Sequence, residues 1–219
     1  MDKDNLVKTD FDFGWKKWKT VPQYIKFVLE YKRGDILDVG CATCQLYTFL
    51  RSKDWKGKYY GIDSQKYEDY EYPEDVELII GDALELEFPR VDTVVLYNIL
   101  EHVGDPIILL RKTIRAAREN VLINVPKRNE EMWQKGVVEY HQLDKTHKHC
   151  GFSKEEVYKL VDLAGGKITR WKEWDGVTIM PIKLLGKHIG TLLLNPKIGV
   201  CIFPKRTFYT EIWLEVVRK

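Results

Sequence analysis

The sequence predicts an α/β domain built on a doubly wound, mostly parallel sheet of seven strands. Short apolar segments of strand length alternate along the chain with segments in which apolar residues recur every three or four positions. This alternation is typical of a parallel sheet covered by helices on both faces. The chain has 219 residues, of which 44% are hydrophobic, so it can form one large domain with a sizeable core.

The first half of the chain supplies the first strands and helices of this pattern. Residues 21–31 form a predicted helix, with Pro22 suited to its first turn. Residues 35–39 form a predicted short buried strand that Gly40 follows, and a second helical stripe comes next. Further strands are predicted at 58–62, 76–80, 91–96 and 121–125.

Two later helices carry clear start signals. Asp105 is a predicted N-cap, and Pro106 occupies the first helical position. Ser153 and Glu156 have the spacing of a capping box, and Gly165-Gly166 ends that helix. The last two strands are predicted at 167–171 and 208–217.

We interpret residues 1–219 as a single domain with two added parts. The first is an N-terminal helical segment, residues 1–33. The second is a lid or insertion, residues 177–206, which is apolar and basic and contains no acidic residue. Such a segment suits a lid over an acceptor site, a dimer contact or peripheral contact with membrane lipid. A lid or a dimer contact is the favoured interpretation, and the oligomeric state is left open.

The overall charge and the N-terminal sequence limit the class of protein. The chain carries 35 basic and 33 acidic residues, and this balance does not indicate a dedicated nucleic-acid binder. The N-terminus lacks the apolar run of a signal peptide, and no stretch approaches the ~20 apolar residues of a transmembrane helix. We therefore expect a cytoplasmic protein whose four cysteines are reduced thiols.

Polar residues and a sharp turn fall at the ends of four predicted strands, where doubly wound sheets bind their ligands. Gly40 lets backbone N–H groups approach a ligand after the first strand. Asp63, at the end of the second strand, can accept hydrogen bonds from two ribose hydroxyls. Asp82 ends the third strand, where its side chain can reach an adenine amino group. The residues that follow the fourth strand are Asn98, Glu101 and His102.

Sequence motifs at these strand ends resemble those of class I S-adenosylmethionine-dependent methyltransferases. ILDVGCATCQL resembles their first motif, YYGIDSQ the acidic second and IIGDAL the third. VVLYNILEHV and the later HKHCGFSKEEVYKLVDLAGG are similar to segments of the small-molecule and lipid-quinone branch. The resemblance implies a Rossmann-like methyltransferase fold with a last antiparallel strand, and S-adenosylmethionine as cofactor.

The resemblance also implies a role for individual residues. Asp38 and Gly40, in a loop with Ala42, would approach the methionine part of the cofactor. Asp63, with Ser64 beside it, would hold the ribose hydroxyls. Asp82 and Ala83 are expected against the adenine ring. Asn98 is expected near the sulfonium.

The predicted cofactor loop departs from the Gly-x-Gly-x-Gly pattern of the family, since Ala42 and Cys44 replace the second and third glycines. Ala42 is a mild change if its φ is negative, whereas a side chain at positive φ costs about 1–2 kcal/mol. We expect cofactor binding with a slightly displaced loop. A nicotinamide dehydrogenase is less favoured, because its pyrophosphate cradle needs further glycines where Ala42 and Gln45 stand.

Cysteines and histidines near the predicted site have more than one interpretation. Cys41 and Cys44 form a C-x-x-C sequence, which redox and zinc sites use, but small residues in a cofactor loop are the favoured interpretation. Glu101 and the nearby histidines either bind a metal ion or shape the acceptor site; we favour shaping and predict no metal. The predicted catalytic residues are Glu101, His102, His141 and His147, of which the last two are candidate general bases.

These features predict a methyltransferase that aligns an acceptor oxygen or nitrogen with the S–CH3 bond and excludes water. A small-molecule acceptor is expected between the Glu101 loop, residues 141–150 and residues 177–206. Trp15 and Trp18, which stand among lysines, leave nucleic-acid contact and hence an RNA methyltransferase open. The remaining alternatives are a protein that binds the cofactor without transferring methyl and a scaffold that has lost the cofactor.

Overall fold

The computed structural model describes residues 23–68, 70–130, 134, 144–184, 187–194 and 206–219. It describes the backbone alone in residues 23–24, 174–184, 187–194 and 206–210. The N-terminal helical segment is thus described only from Gln23 onward. The helices and strands are α1 (Gln23–Tyr31), β1 (Ile36–Val39), α2 (Gln45–Arg51), β2 (Tyr59–Asp63), β3 (Val76–Ile80), β4 (Val91–Tyr97), α3 (Pro106–Ala116), β5 (Ala117–Pro126), α4 (Lys154–Leu163), β6 (Gly166–Leu184), β7 (Lys187–Leu194) and β8 (Arg206–Arg218).

The strands form one sheet in the order β3-β2-β1-β4-β5-β8-β6-β7. β1 pairs in parallel with β2 on one side and with β4 on the other, so the strand order reverses between β1 and β4. The register places Asp38 opposite Gly61 of β2 and Val95 of β4. The predicted doubly wound, mostly parallel sheet is confirmed, and the reversal marks the edge where a ligand is expected.

The last part of the sheet is antiparallel. β8 pairs antiparallel with both β5 and β6, and it is the last antiparallel strand that the resemblance implies. β6 extends well beyond the predicted strand at 167–171 and forms a hairpin with β7. The described part of residues 177–206 therefore continues the sheet, and β7 adds an eighth strand at its edge. A role of this segment as a lid stays a prediction.

The start signals of two helices are confirmed. A carboxylate oxygen of Asp105 accepts hydrogen bonds from the amides of Ile107 and Ile108, at 2.9 and 3.0 Å, where α3 begins. At the start of α4, the Ser153 hydroxyl accepts from the Glu156 amide and the Glu156 carboxylate accepts from the Ser153 amide. Such caps stabilise a helix by about 1 kcal/mol and fix its first turn.

Helices cover both faces of the sheet. One cluster of buried apolar side chains joins Val94 of β4 to residues of α3 and α4. The other joins the neighbouring Val95 to residues of α1 and α2. Adjacent residues belong to different clusters because successive side chains of a strand point to opposite faces. Among the helices of the described residues, none is long and apolar enough to cross a membrane.

Candidate functional site

The loop after β1 turns sharply through three residues with positive φ. The φ angles are 80° at Gly40, 45° at Ala42 and 55° at Cys44. A Cβ atom at position 40 would lie 3.0 Å from Cδ1 of Ile99, so the turn is tight even for a small side chain. Ala42 and Cys44 adopt a left-handed conformation that costs about 1–2 kcal/mol per residue. The negative φ that would make Ala42 a mild change is therefore absent.

Asp63 and Tyr72 hold this loop in place. Asp63, the last residue of β2, accepts a hydrogen bond from the Ala42 amide at 2.8 Å, and Tyr72 donates its hydroxyl to the Ala42 carbonyl at 3.2 Å. The other Asp63 oxygen lies 3.3 Å from the Gln65 amide and 3.5 Å from the Ser64 hydroxyl. Asp63 thus ends its strand as predicted. Tyr72 was missed because its surroundings, rich in tyrosine and acidic residues, carry no recognised motif.

Asp38 lies in β1 beneath the loop and is only 5% exposed. The Tyr59 hydroxyl donates to its carboxyl group at 2.5 Å. Burial raises the pKa of Asp38 to about 7, against the opposite effect of the Tyr59 hydrogen bond, and the charge of Asp63 raises it further. The ionisation of Asp38 therefore changes near neutral pH, directly under the loop. Contact between Asp38 and a cofactor stays a prediction.

The two cysteines of the C-x-x-C sequence are buried free thiols. A Cβ atom at Gly61 of β2 would lie 2.8 Å from Sγ of Cys41 and 3.3 Å from Sγ of Cys44. A hydrogen bond with Cys44, together with burial, raises the pKa of Cys41, which makes its thiol unreactive. Neither cysteine belongs to a cluster of possible metal ligands in the part of the chain that the structure describes. This geometry supports their interpretation as small residues that pack the loop.

Asp82 and Ala83 begin a turn at the end of β3. A carboxylate oxygen of Asp82 accepts a hydrogen bond from the Leu84 amide at 2.8 Å. Lys112 of α3 donates Nζ to the carbonyls of Ala83 and Leu84, at 2.9 and 2.7 Å. The turn is thus anchored by α3, while the Asp82 side chain is exposed and open to a ligand.

Asn98 follows β4 directly and is strained. Its φ is 47°, and its amide donates to the Asn124 carbonyl at 3.2 Å. Its side-chain Oδ1 is buried with no hydrogen-bond partner among the described residues. Leaving a buried acceptor unpaired costs about 1–3 kcal/mol. Strain and an unpaired polar atom at one residue are typical of a ligand site.

Three residues beside this strand end form a compact group, which brings together three of the four predicted catalytic residues. Each of Glu101, His102 and His147 offers one ligand atom, and these atoms lie within 4.8 Å of one another. The two imidazole rings have centroids 4.5 Å apart and meet edge to face. Burial, with the charges of Glu211 and Asp144, raises the pKa of Glu101 to about 8. Burial and His147 lower the pKa of His102.

The segment that carries His147 is fastened to Glu101 through the backbone. The amides of Lys148 and His149 both donate to the Glu101 carbonyl, at 2.8 and 3.1 Å. The ring of His149 lies outside the group of three, with Nε2 at 3.2 Å from the Val103 carbonyl. The fourth predicted catalytic residue, a histidine at position 141, lies outside the described residues.

Thr146 links His102 to a carboxylate. Its hydroxyl donates to Asp144 at 2.7 Å and lies 3.1 Å from Nδ1 of His102. The hydrogen bond from Thr146 is the main reason that the pKa of Asp144 is lowered. Neither Thr146 nor Asp144 was predicted as a site residue. Their role depends on a tertiary contact between residues 102 and 146, which no local sequence pattern indicates.

The strand-end residues fit the cofactor that the sequence implies. Asp63 offers a half-exposed carboxylate for hydroxyl groups, and Asp82 an exposed one for an amino group. The unpaired Oδ1 of Asn98 needs a hydrogen-bond donor that the described chain does not supply.

Several solved structures that are similar to this chain are methyltransferases of low sequence identity. A putative methyltransferase from Bacillus halodurans has a TM-score of 0.61 at 15% identity, with 89% of this chain and 98% of that chain covered. The 1,6-didemethyltoxoflavin-N1-methyltransferase of Burkholderia thailandensis was solved with S-adenosylhomocysteine. It has a TM-score of 0.60 at 11% identity, with 95% of this chain and 82% of that chain covered. A third structure is a Haloferax volcanii complex between the Trm112 methyltransferase activator and a putative methyltransferase. It has a TM-score of 0.58 at 16% identity, with 95% of this chain and 92% of that chain covered.

These likenesses show the fold, and a family model shows the family. No curated protein sequence matches the chain significantly. Residues 18–170, more than half of the chain, match the model of the methyltransferase domain. The chain therefore belongs to the methyltransferase domain family, within the class I methyltransferases, whose cofactor is S-adenosylmethionine.

Proposed function

We propose that this protein is an enzyme that transfers a methyl group from S-adenosylmethionine to an oxygen or nitrogen atom of a small-molecule acceptor. The cofactor supplies an electrophilic methyl group on its sulfonium. The observation that carries the proposal is the set of polar groups at the ends of four neighbouring parallel strands. Asp63, Asp82 and Asn98 belong to this set, and the strained turn after Gly40 faces the same edge.

On the cofactor side, the chain offers acceptors for hydroxyl and amino groups. A carboxylate has about four lone-pair positions, so Asp63 can hold the Ala42 amide and still accept from ribose hydroxyls. Ser64, next to it, can add a hydroxyl contact. Asp82 can accept from the adenine amino group, because one of its oxygens remains beyond the Leu84 bond.

On the acceptor side, Glu101, His102 and His147 provide the polar wall. An oxygen or protonated nitrogen acceptor must lose its proton during methylation, and a neutral imidazole can accept it. The lowered pKa of His102 keeps that ring neutral near pH 7. The enzyme's main contribution is to hold the acceptor in line with the methyl group and to exclude water.

Calorimetric titration tests the cofactor part of the proposal. We expect binding of S-adenosylmethionine and S-adenosylhomocysteine, and no binding of NAD. Asp63→Ala should weaken both affinities by at least about tenfold, or 1.4 kcal/mol, since it removes the hydroxyl acceptor and the bond to Ala42. Asp162→Ala is the control, because its carboxylate lies on α4 and its side chain is 69% exposed. Absence of binding to both sulfur compounds would leave the scaffold interpretation.

Transfer of labelled methyl groups tests the acceptor part. The cofactor-bound protein is incubated with panels of small hydroxyl and amine compounds and, separately, with RNA. Label in a small molecule, lost in Glu101→Gln, is the expected result. Label in RNA alone would replace the small-molecule acceptor by the RNA alternative, and binding without any transfer would favour a non-catalytic protein.

A further inference from the structure

Glu101 has one buried carboxyl oxygen without a hydrogen-bond partner in the described part of the chain. The residue is 1% exposed, and its Oε2 atom has no hydrogen-bond partner among the described residues. Burying such an atom unpaired costs about 1–3 kcal/mol, and more when the group is charged. Buried carboxylates in native proteins are paired with donors or coordinate metal ions. The imidazoles of His102 and His147 lie beside this carboxyl group, and the carboxylates of Asp144 and Glu211 are also near.

The spacing of the three side chains suits one small cation. Their candidate ligand atoms lie within 4.8 Å of one another. Metal–nitrogen and metal–oxygen bonds of about 2.0–2.2 Å place tetrahedral ligands roughly 3.4 Å apart, so binding requires side-chain shifts of at most about 1 Å. The His147 side chain is 8% exposed, which leaves the group shielded from bulk water. A cation here would therefore be held by partly desolvated ligands.

The hydrogen bond at Nδ1 of His102 leaves Nε2 available to bind a metal ion. The Thr146 hydroxyl has a single proton, and it donates that proton to Asp144 at 2.7 Å. Thr146 must then accept the hydrogen bond from Nδ1 of His102, so Nδ1 carries the proton. Nε2 of His102 retains its lone pair. Ligating histidines in metalloproteins are oriented in this way by a polar partner on the other nitrogen.

We propose that Glu101, His102 and His147 bind a divalent first-row transition-metal ion, for which Zn²⁺ is the representative case. Two imidazoles and one carboxylate form a ligand set that zinc and related ions use, whereas Mg²⁺ and Ca²⁺ prefer oxygen ligands throughout. Three protein ligands leave a coordination position for water or for a heteroatom of the acceptor. An ion at this position would polarise that heteroatom and promote loss of its proton. His102 and His147 would then act as ligands, in place of the imidazole base described for the metal-free site. This proposal replaces the expectation from the sequence that no metal is bound.

Metal titration of chelator-treated, tag-free protein tests the site, with Co²⁺ as a spectroscopic probe and Zn²⁺ as competitor. We expect saturable visible absorption of bound Co²⁺ that Zn²⁺ abolishes, and a rise in Tm on Zn²⁺ addition, because an ion that binds only the folded state stabilises it. His102→Gln, His147→Gln and Glu101→Gln should abolish the absorption. Thr146→Val keeps the ligands and should weaken Co²⁺ binding by about 10–100-fold.

His149→Gln is the matched control, because it alters a histidine of the same segment whose ring lies outside the group. It should bind Co²⁺ as the unmodified protein does. The proposal is overturned if no Co²⁺ absorption develops, if His102→Gln and His147→Gln bind as tightly as the parent, or if His149→Gln loses the ion equally. Circular dichroism identifies variants that fail to fold. Binding of S-adenosylmethionine, measured separately, distinguishes failure of the metal site from failure of the proposed function.

Discussion

Replacement of Asp38 by asparagine should make the stability of the protein less sensitive to pH. Burial raises the pKa of Asp38 from 3.8 to about 7, so the folded protein resists ionisation that the unfolded chain accepts freely. The unfolded chain therefore releases its proton first as the pH rises, and the folded state loses stability between about pH 4 and pH 7. At 1.36 kcal/mol per pKa unit, the loss is at most about 4 kcal/mol.

Asp38→Asn removes this ionisation while its side-chain oxygen can still accept the hydrogen bond from Tyr59. The difference in unfolding free energy between the variant and the parent should grow by up to about 1.4 kcal/mol per pH unit in this window and then become constant. Urea denaturation followed by circular dichroism, from about pH 4 to about pH 8, measures it. Asp162→Asn makes the same charge change on the surface and is the control. A difference that is independent of pH, or that shrinks as the pH rises, would refute the reasoning.

Two further substitutions test the packing and strain of the cofactor loop. Gly61→Ala should destabilise the protein by about 1–3 kcal/mol and weaken S-adenosylmethionine binding in calorimetry, because its Cβ would meet Sγ of Cys41 at 2.8 Å. Gly104→Ala is the control, because its Cβ would have its nearest neighbour at 3.8 Å. Equal effects of the two substitutions would contradict the argument. Ala42→Gly relieves about 1–2 kcal/mol of strain at positive φ and costs about 0.5–1 kcal/mol in chain entropy. Urea denaturation should therefore show a free energy of unfolding that is higher by up to about 1 kcal/mol. A lower free energy of unfolding would argue against strain at this residue.

The elements that sequence analysis predicted well are those whose signals are local. The N-cap at Asp105 and the capping box of Ser153 and Glu156 were readable because each involves residues within one helical turn. The strand ends at Asp63 and Asn98 were readable because short apolar runs stop there. The doubly wound, mostly parallel sheet followed from the alternation of strands and helices and from the resemblance, whereas the order of the strands came from the structure.

The hairpin of β6 and β7 was not predicted, although its residues are apolar enough for strands. Residues 177–206 were assigned to a lid or insertion from their apolar and basic composition, and pairing with β7 and β8 makes β6 a long strand. Isolated strands have no stability of their own, so such a pairing depends on the rest of the sheet.

The sequence by itself determined the order of elements, the family and the chemical types at the strand ends, because these depend on local periodicity and on motifs of a few residues. The tertiary structure alone decided the positive φ of Ala42, the contact of Tyr59 with Asp38, and the convergence of His147 on Glu101. Each depends on residues far apart in the chain meeting in one place. Burial and mutual distance then set the pKa values and ligand geometry, and neither quantity exists before the chain folds.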